Sequence, residues 1–225
     1  MAAGGIPGYK KQQLTLSATQ AGLMPTGPMP GSKTPAMFTI PKATTSTNFS
    51  AGGMQATGVP TDVAIEGNGF FEVQLPGGTV GYTRDGQFAT NAKGELTTKE
   101  GYPVMGQAGP IQLNPRDAGP ITISAKGEIS QGTASRGKLA LADFAKPDSL
   151  TQISPSYFVA GNPGAAAQAS NSTVRQGYLE SSNSSTVMEM ASLMTAMRGF
   201  EANQHVIQIQ DDRLNKTITE LGTPT

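Results

Sequence analysis

The sequence contains no cysteine, no tryptophan and one histidine. The missing thiols exclude a disulfide framework and any thiolate metal site. The single histidine, His205, lies in a stretch of helical pattern with no candidate nucleophile beside it, so a triad or a histidine metal centre has no local support. Charge is sparse and balanced, 16 basic against 16 acidic residues. There is accordingly no electrostatic footprint for nucleic acid or an anionic membrane surface. No apolar run approaches the ~20 residues that cross a bilayer, which argues against membrane insertion. The opening "MAAGGIPGYKKQ" lacks the charged stretch and apolar run of a cleaved secretory signal.

What the chain has in quantity is glycine and proline, 28 and 16 of 225 residues. That usage fits a turn-dense β protein. Residues 1–48 carry Pro7, Pro25, Pro28, Pro30, Pro35 and Pro41 among Gly, Ser and Thr. Such spacing breaks helices and predicts an irregular arm or plain disorder, with one short edge strand around Met37–Ile40. Residues 49–178 read as a β-rich domain. "DVAIEGNGFFEVQL" sets Val63, Ile65, Val73 and Leu75 in alternating apolar patterns around a Gly-Asn-Gly break. Asp85-Gly86, between Tyr82 and Phe88, predicts a tight hairpin turn. Ala92-Lys93-Gly94-Glu95-Leu96 recurs as Ala125-Lys126-Gly127-Glu128-Ile129. Both copies predict a hairpin with glycine in the left-handed position. "AGNPGAAAQASNS" has no periodicity and reads as a loop.

Residues 179–225 read as a linker and a long amphipathic helix. Thr186-Val187-Met188-Glu189 fits a capping box, and no proline follows until Pro224. Val187–Leu221 would extend ~52 Å at 1.5 Å per residue. Leu193, Met197, Phe200, Gln204, Ile207, Asp211, Leu214, Ile218 and Leu221 step alternately by four and three. That is a heptad seam with two polar interruptions. A small β domain cannot cover so long a stripe, so the seam predicts a partner helix.

Candidate chemistry is thin. Glu66 and Glu72 flank Gly67-Asn68-Gly69, but acids at alternating strand positions form the polar face of a sheet. The G-x-G there lacks the third glycine and the helix start of a phosphate loop. Ser181, Ser182, Ser184 and Ser185 have no G-x-S-x-G elbow around them and suit helix capping. Met188, Met190, Met194 and Met197 suit packing. The expectation is a protein without catalytic residues, metal, cofactor or small-molecule substrate.

Several stretches in order resemble the flagellar basal-body rod and hook proteins. They are "FSAGGMQATGVPTDVAIEGNGFFEV" (Phe49–Val73), "YTRDGQF", "GEL", "GYPVMG", "RQGYLESSN" and "MRGFEANQ". The short arm before Phe49 and "GPIQLNP…ITISAKGEIS" look most like the proximal rod type, with the distal type close behind. The resemblance implies a mainly β fold, a β-rich outer domain of hairpins with a coiled-coil-type C-terminal helix. It implies a structural subunit that polymerises into the hollow drive shaft and transmits torque. Its partners would be copies of itself and other flagellar axial proteins. Leu193, Met197, Phe200, Ile207, Leu214 and Ile218 would face a partner helix. Leu179, Glu180, Ser181, Ser182 and Asn183 would join the β domain to the helix. Export would run through the flagellar type III apparatus, to a rod that spans the periplasm. The amphipathic helix that usually precedes a Gly-Tyr/Phe-Lys element in this family has no counterpart before Gly8-Tyr9-Lys10, where only "MAAGGIP" stands. A second reading is a β-rich binding module, an adhesin or tail-like protein oligomerised by its C-terminal helix.

Overall fold

Successive side chains of a strand point to opposite faces, so a strand that is apolar at adjacent positions must be covered on both. Phe70–Gln74 is such a strand: Phe70 and Phe71 are both buried, in different apolar clusters. In the computed structural model, which describes residues 3–21, 38–117, 119–161, 166–168 and 172–221, this strand is central to a six-stranded antiparallel sheet. The sheet order is Leu150–Ser154, Tyr157–Ala160, Val80–Thr83, Phe70–Gln74, Leu141–Phe144, Ala166–Gln168. One face carries Phe70, Tyr82, Ala142, Phe144, Leu150 and Phe158, with Phe49 packed against them. The rings meet edge to face, Tyr82 on Phe144 at 4.8 Å and Phe49 on Phe70 at 5.8 Å. The other face, with Phe71 and Val73, joins the main core of Val63, Ile65, Val104, Ile129 and Leu139. Small hairpins and two-stranded ladders enclose that core. The fold is thus mainly β with one long C-terminal helix, as the glycine and proline content and the heptad spacing imply.

The repeated pentapeptide forms the same loop twice. Gly94 and Gly127 have φ of 84° and 79°. Each glycine N–H donates to the residue three before it, Asn91 O at 2.9 Å and Ser124 O at 2.8 Å. The side chain of that same residue accepts from Glu95 N or Glu128 N, at 2.9 and 3.1 Å.

The expected hairpin at Asp85-Gly86 is not there. Val80–Thr83 pairs with Phe70–Gln74 and Tyr157–Ala160, whereas Phe88–Thr90 pairs with Leu96–Thr98. Asp85-Gly86 is a crossing between sheets, and Gly86 does not have positive φ. Glycine is needed there for closeness: a Cβ would overlap the Val63 carbonyl oxygen, and Val63 N donates to Gly86 O at 3.0 Å.

Among the described residues the arm expected to be irregular carries a ribbon, whose second strand takes in Phe38–Ile40 of the expected edge strand. Gln12–Ala21 pairs with Phe38–Thr47, in register from Gln12↔Thr47 to Ala21↔Phe38. Every strand of a two-stranded ribbon is an edge, so Pro41 is tolerated, and the Thr-rich sequence suits extended chain. Met37, Pro25, Pro28, Pro30 and Pro35 lie outside the described residues. Within the expected loop after Ala160, Ala166–Gln168 forms a strand against Leu141–Phe144.

The chain divides into two compact units, Ala2–Asn183 and a segment from Ser184 onward. The second contains one helix, Thr186–Leu221, unbroken through Gly199. Its first hydrogen bond runs from Glu189 N to Ser185 O at 2.9 Å. Ser185 therefore holds the cap position, one residue before the expected Thr186.

Candidate functional site

Three distant segments converge where the chain leaves the β unit. Tyr178–Glu180 pairs with Met54–Ala56, Ser181 N donates to Gly53 O at 2.7 Å, and Gly8 N donates to Glu180 O at 2.7 Å. This places the Glu180 carboxylate in the interior, 2% exposed, where a bare charge is costly unless paired. Lys10 Nζ meets Oε1 at 2.6 Å and Arg84 Nη1 meets Oε2 at 3.1 Å. Gly52 N also donates to Oε1, at 2.8 Å. The surplus positive charge is met by carbonyls: Lys10 Nζ donates to Ser50 O at 2.8 Å, and Arg84 Nη2 to Gly67 O at 2.6 Å. The Arg84 guanidinium also lies 5.0 Å from the centre of the Phe70 ring, a cation–π distance. Burial pulls both cations below their ordinary pKa values, against the opposing pull of Glu180.

Asn183 completes the fastening. Its Oδ1 accepts from Lys11 N at 2.7 Å, and its Nδ2 donates to Asn48 O at 2.7 Å and Ser50 O at 3.1 Å. Two glycines permit the closeness. A Cβ on Gly52 would overlap the Ser181 carbonyl oxygen, and one on Gly8, at φ 65°, would overlap the backbone of Arg84 and Asp85. Residues 8–11, 48–53 and 179–183 are therefore locked together at one place. Glu180 has both oxygens engaged by buried cations, so its chemistry is attachment.

Next to this place Asp85 is buried, and desolvation pushes its carboxyl up to about 6. Its Oδ1 accepts from Gln87 N at 3.0 Å. Tyr157 donates to the Glu100 carboxylate, and burial pushes the phenol up. Glu66 and Glu72 do not form a working pair: Glu66 is exposed and bound to Arg175 at 3.0 Å, while Glu72, on another sheet, is raised by burial.

The six residues expected to face a partner helix lie on the helix Thr186–Leu221 and are exposed. Leu193, Met197, Phe200, Ile207, Leu214 and Ile218 have between 55% and 68% of their surface accessible. His205 is exposed on the same helix.

A model of the flagellar hook protein FlgE/F/G D1 domain matches residues 64–131, and one of the flagellar basal body rod FlgEFG protein C-terminal region matches residues 175–220. The FlgG rod protein of Borreliella burgdorferi is 36% identical over 189 residues, covering 76% of this chain and 69% of its own. The chain belongs to the flagellar basal-body rod protein family. A FlgF rod protein of Caulobacter vibrioides is 33% identical over 220 residues, 96% of this chain and 86% of its own. One from Mesorhizobium japonicum is 35% identical over 174 residues, 76% and 71%. FlgG and FlgF relatives thus match at similar levels. This rod protein is a structural subunit of the flagellum and not an enzyme, and the adhesin-like reading is not favoured. The C-terminal match takes in Glu180, Asn183 and the seam up to Ile218. Sequence reasoning placed 179–183 at the junction but missed Lys10 and Arg84 as partners of Glu180. The available signal was that Lys10 is the charge of Gly8-Tyr9-Lys10 and Arg84 the single basic residue of "YTRDGQF".

Proposed function

We propose that this rod protein works by stacking, with copies of itself and other axial proteins, into a hollow torque-transmitting shaft. The observation that carries this is the exposed seam from Leu193 to Ile218. Burying a side chain of Leu or Phe size is worth ~1.5–3 kcal/mol, so six such residues give a large drive to pair with a helix. In this reading the cluster of Lys10, Arg84 and Glu180 anchors the root of the segment 179–183 that leads to the helix. Torque on the helix is then resisted by buried ion pairs and a paired strand rather than by a free linker. The subunit is exported without a cleaved signal and acts in the rod across the periplasm.

The test is genetic and biochemical. Deleting the coding sequence is expected to abolish swimming, and the wild-type chain to restore it and co-purify with basal bodies. Phe200→Asp with Ile207→Asp is expected to restore neither, although its β unit stays folded. Normal swimming and incorporation of that double variant would refute the seam as the assembly surface.

A further inference from the structure

The first segment of the β unit is fastened only from Gly8 onward. There the chain is held by Gly8 N on Glu180 O at 2.7 Å, by the buried Lys10, and by Lys11 N on Asn183 Oδ1 at 2.7 Å. Ahead of it, residues 4–7 make no hydrogen bond to another segment among the described residues. The Ile6 carbonyl accepts from Tyr9 N at 3.3 Å, within the same turn. Ile6 and Pro7 are half-buried, so apolar contact is what keeps this stretch down. Gly8 has φ 65° and lies so close to the backbone of Arg84 and Asp85 that a Cβ would overlap it. It is a fixed pivot with a loose strap in front of it.

The space around the strap is incompletely filled. Gly5, Ile6 and Pro7 line a cavity of about 370 Å³ together with Asp85, Glu100 and Tyr157. Residues 4–7 also line a second one, of about 100 Å³, with Leu179 and Glu180. Close packing therefore does not hold the strap in place. Asp85 is only 8% exposed, and its Oδ1 takes its hydrogen bond from Gln87 N. Glu100 and Asp62 act on it with like charge and Lys99 with opposite charge, while Tyr157 donates to Glu100. Residues 4–7 are uncharged and give Asp85 no hydrogen bond. Such a cover suits the neutral carboxyl, whereas the carboxylate gains water when the cover lifts.

We infer that residues 4–7 form a hinged strap, which closes over Asp85 when that carboxyl is neutral and lifts about Gly8 when it ionises. The closed form holds the Asp85 proton more tightly than the open one, so raising the pH favours opening. Under the strap the carboxyl is raised from 3.8 to about 6. A lifted strap that returns it to its ordinary value increases the ratio of open to closed by up to ~100-fold, from near pH 4 to a plateau near pH 6. From Gly8 onward the chain stays fastened to Glu180, so the opening is local. The device is separate from the rod reading, because no partner enters into it.

A spin label on the strap tests this. The chain has no cysteine and a Cβ on Gly5 meets nothing within 4 Å, so Gly5→Cys accepts a nitroxide without strain. Electron paramagnetic resonance of the labelled full chain is recorded from pH 4 to 8, with far-UV circular dichroism to check that the β unit stays folded. A label on the exposed Lys93→Cys is the control. The ratio of mobile to immobile signal on the strap is expected to rise at least tenfold between pH 4 and pH 7, and the control to stay constant. Asp85→Asn should keep the ratio at its pH 4 value throughout. Glu100→Gln removes a like charge, so it should shrink the rise and end it at a lower pH. A ratio that ignores pH, an equal rise in Asp85→Asn, or an undiminished rise in Glu100→Gln would overturn the strap.

Discussion

Replacing Glu180 by Gln keeps the shape and the acceptor for Gly52 N but removes the one negative charge between Lys10 and Arg84. The two cations remain buried, with relative side-chain exposures of 1% and 3%, and now repel each other. Breaking a buried pair in this way costs ~3–5 kcal/mol, a large share of the ~5–15 kcal/mol that holds a domain together. At a urea slope of ~2 kcal/mol/M the midpoint should fall by ~2 M. Far-UV circular dichroism follows the β unit, and fluorescence of the five tyrosines gives a second probe in a chain without tryptophan. The internal control is Glu66→Gln, which breaks the Arg175 pair at side-chain exposures of 51% and 55%. Exposed pairs contribute ~0–1 kcal/mol, so that midpoint should move by less than ~0.5 M. A double-mutant cycle with Lys10→Met isolates the coupling. If Glu180→Gln shifts the midpoint no more than Glu66→Gln, the cluster is not an anchor.

Asp85 gives a pH signature. Its carboxyl is raised from 3.8 to about 6, so the folded state holds the proton more tightly than the unfolded one. That stability is full below pH ~4 and is lost as pH rises through ~6, a loss of ~3 kcal/mol. Asp85→Asn, which keeps an acceptor for Gln87 N, should be near neutral at pH 4 and stabilising by ~2–3 kcal/mol at pH 8; a pH-independent difference in urea midpoints would contradict this. Gly86→Ala should cost at least ~2 kcal/mol, because the new Cβ meets the Val63 carbonyl oxygen, and an unchanged melting temperature would refute that close approach. Gly199→Ala should act in the opposite direction. A Cβ there meets nothing within 4 Å, so helicity should rise by the ~1 kcal/mol that separates the two residues, and an unchanged helical signal at 222 nm would count against it.

Patterns local in sequence were legible, and those made by distant residues were not. The heptad spacing and the lack of proline marked out the helix to within one residue, because both depend on neighbours along the chain. The two pentapeptide hairpins were equally readable, since a left-handed glycine and its i−3 partner lie within five residues. Asp85-Gly86 misled because its sequence suits a hairpin, while the contact that requires glycine comes from Val63 on another strand. The ribbon Gln12–Ala21 with Phe38–Thr47 was legible only in the short edge strand expected around Met37–Ile40: Leu14, Leu16 and Ala18 alternate with polar residues, but Pro41 and the prolines around the ribbon argued the other way. The Lys10–Glu180 bond joins residues 170 apart and the Arg84–Glu180 bond residues 96 apart. No local propensity encodes such a meeting, which follows from the fold that brings the strands Met54–Ala56 and Tyr178–Glu180 side by side.

The most direct measurement is hydrogen exchange of the helix Thr186–Leu221 in the free subunit and in isolated basal bodies. A helix whose apolar surfaces are open in the free subunit frays and exchanges fast, whereas the buried strands of the β unit are protected in both states. Assembly should slow the helix amides by orders of magnitude, most strongly along Leu193–Ile218, and leave the β core unchanged. Helix amides equally fast in the basal body, or already as protected in the free subunit as the β core, would contradict the seam as the surface through which this protein builds the rod.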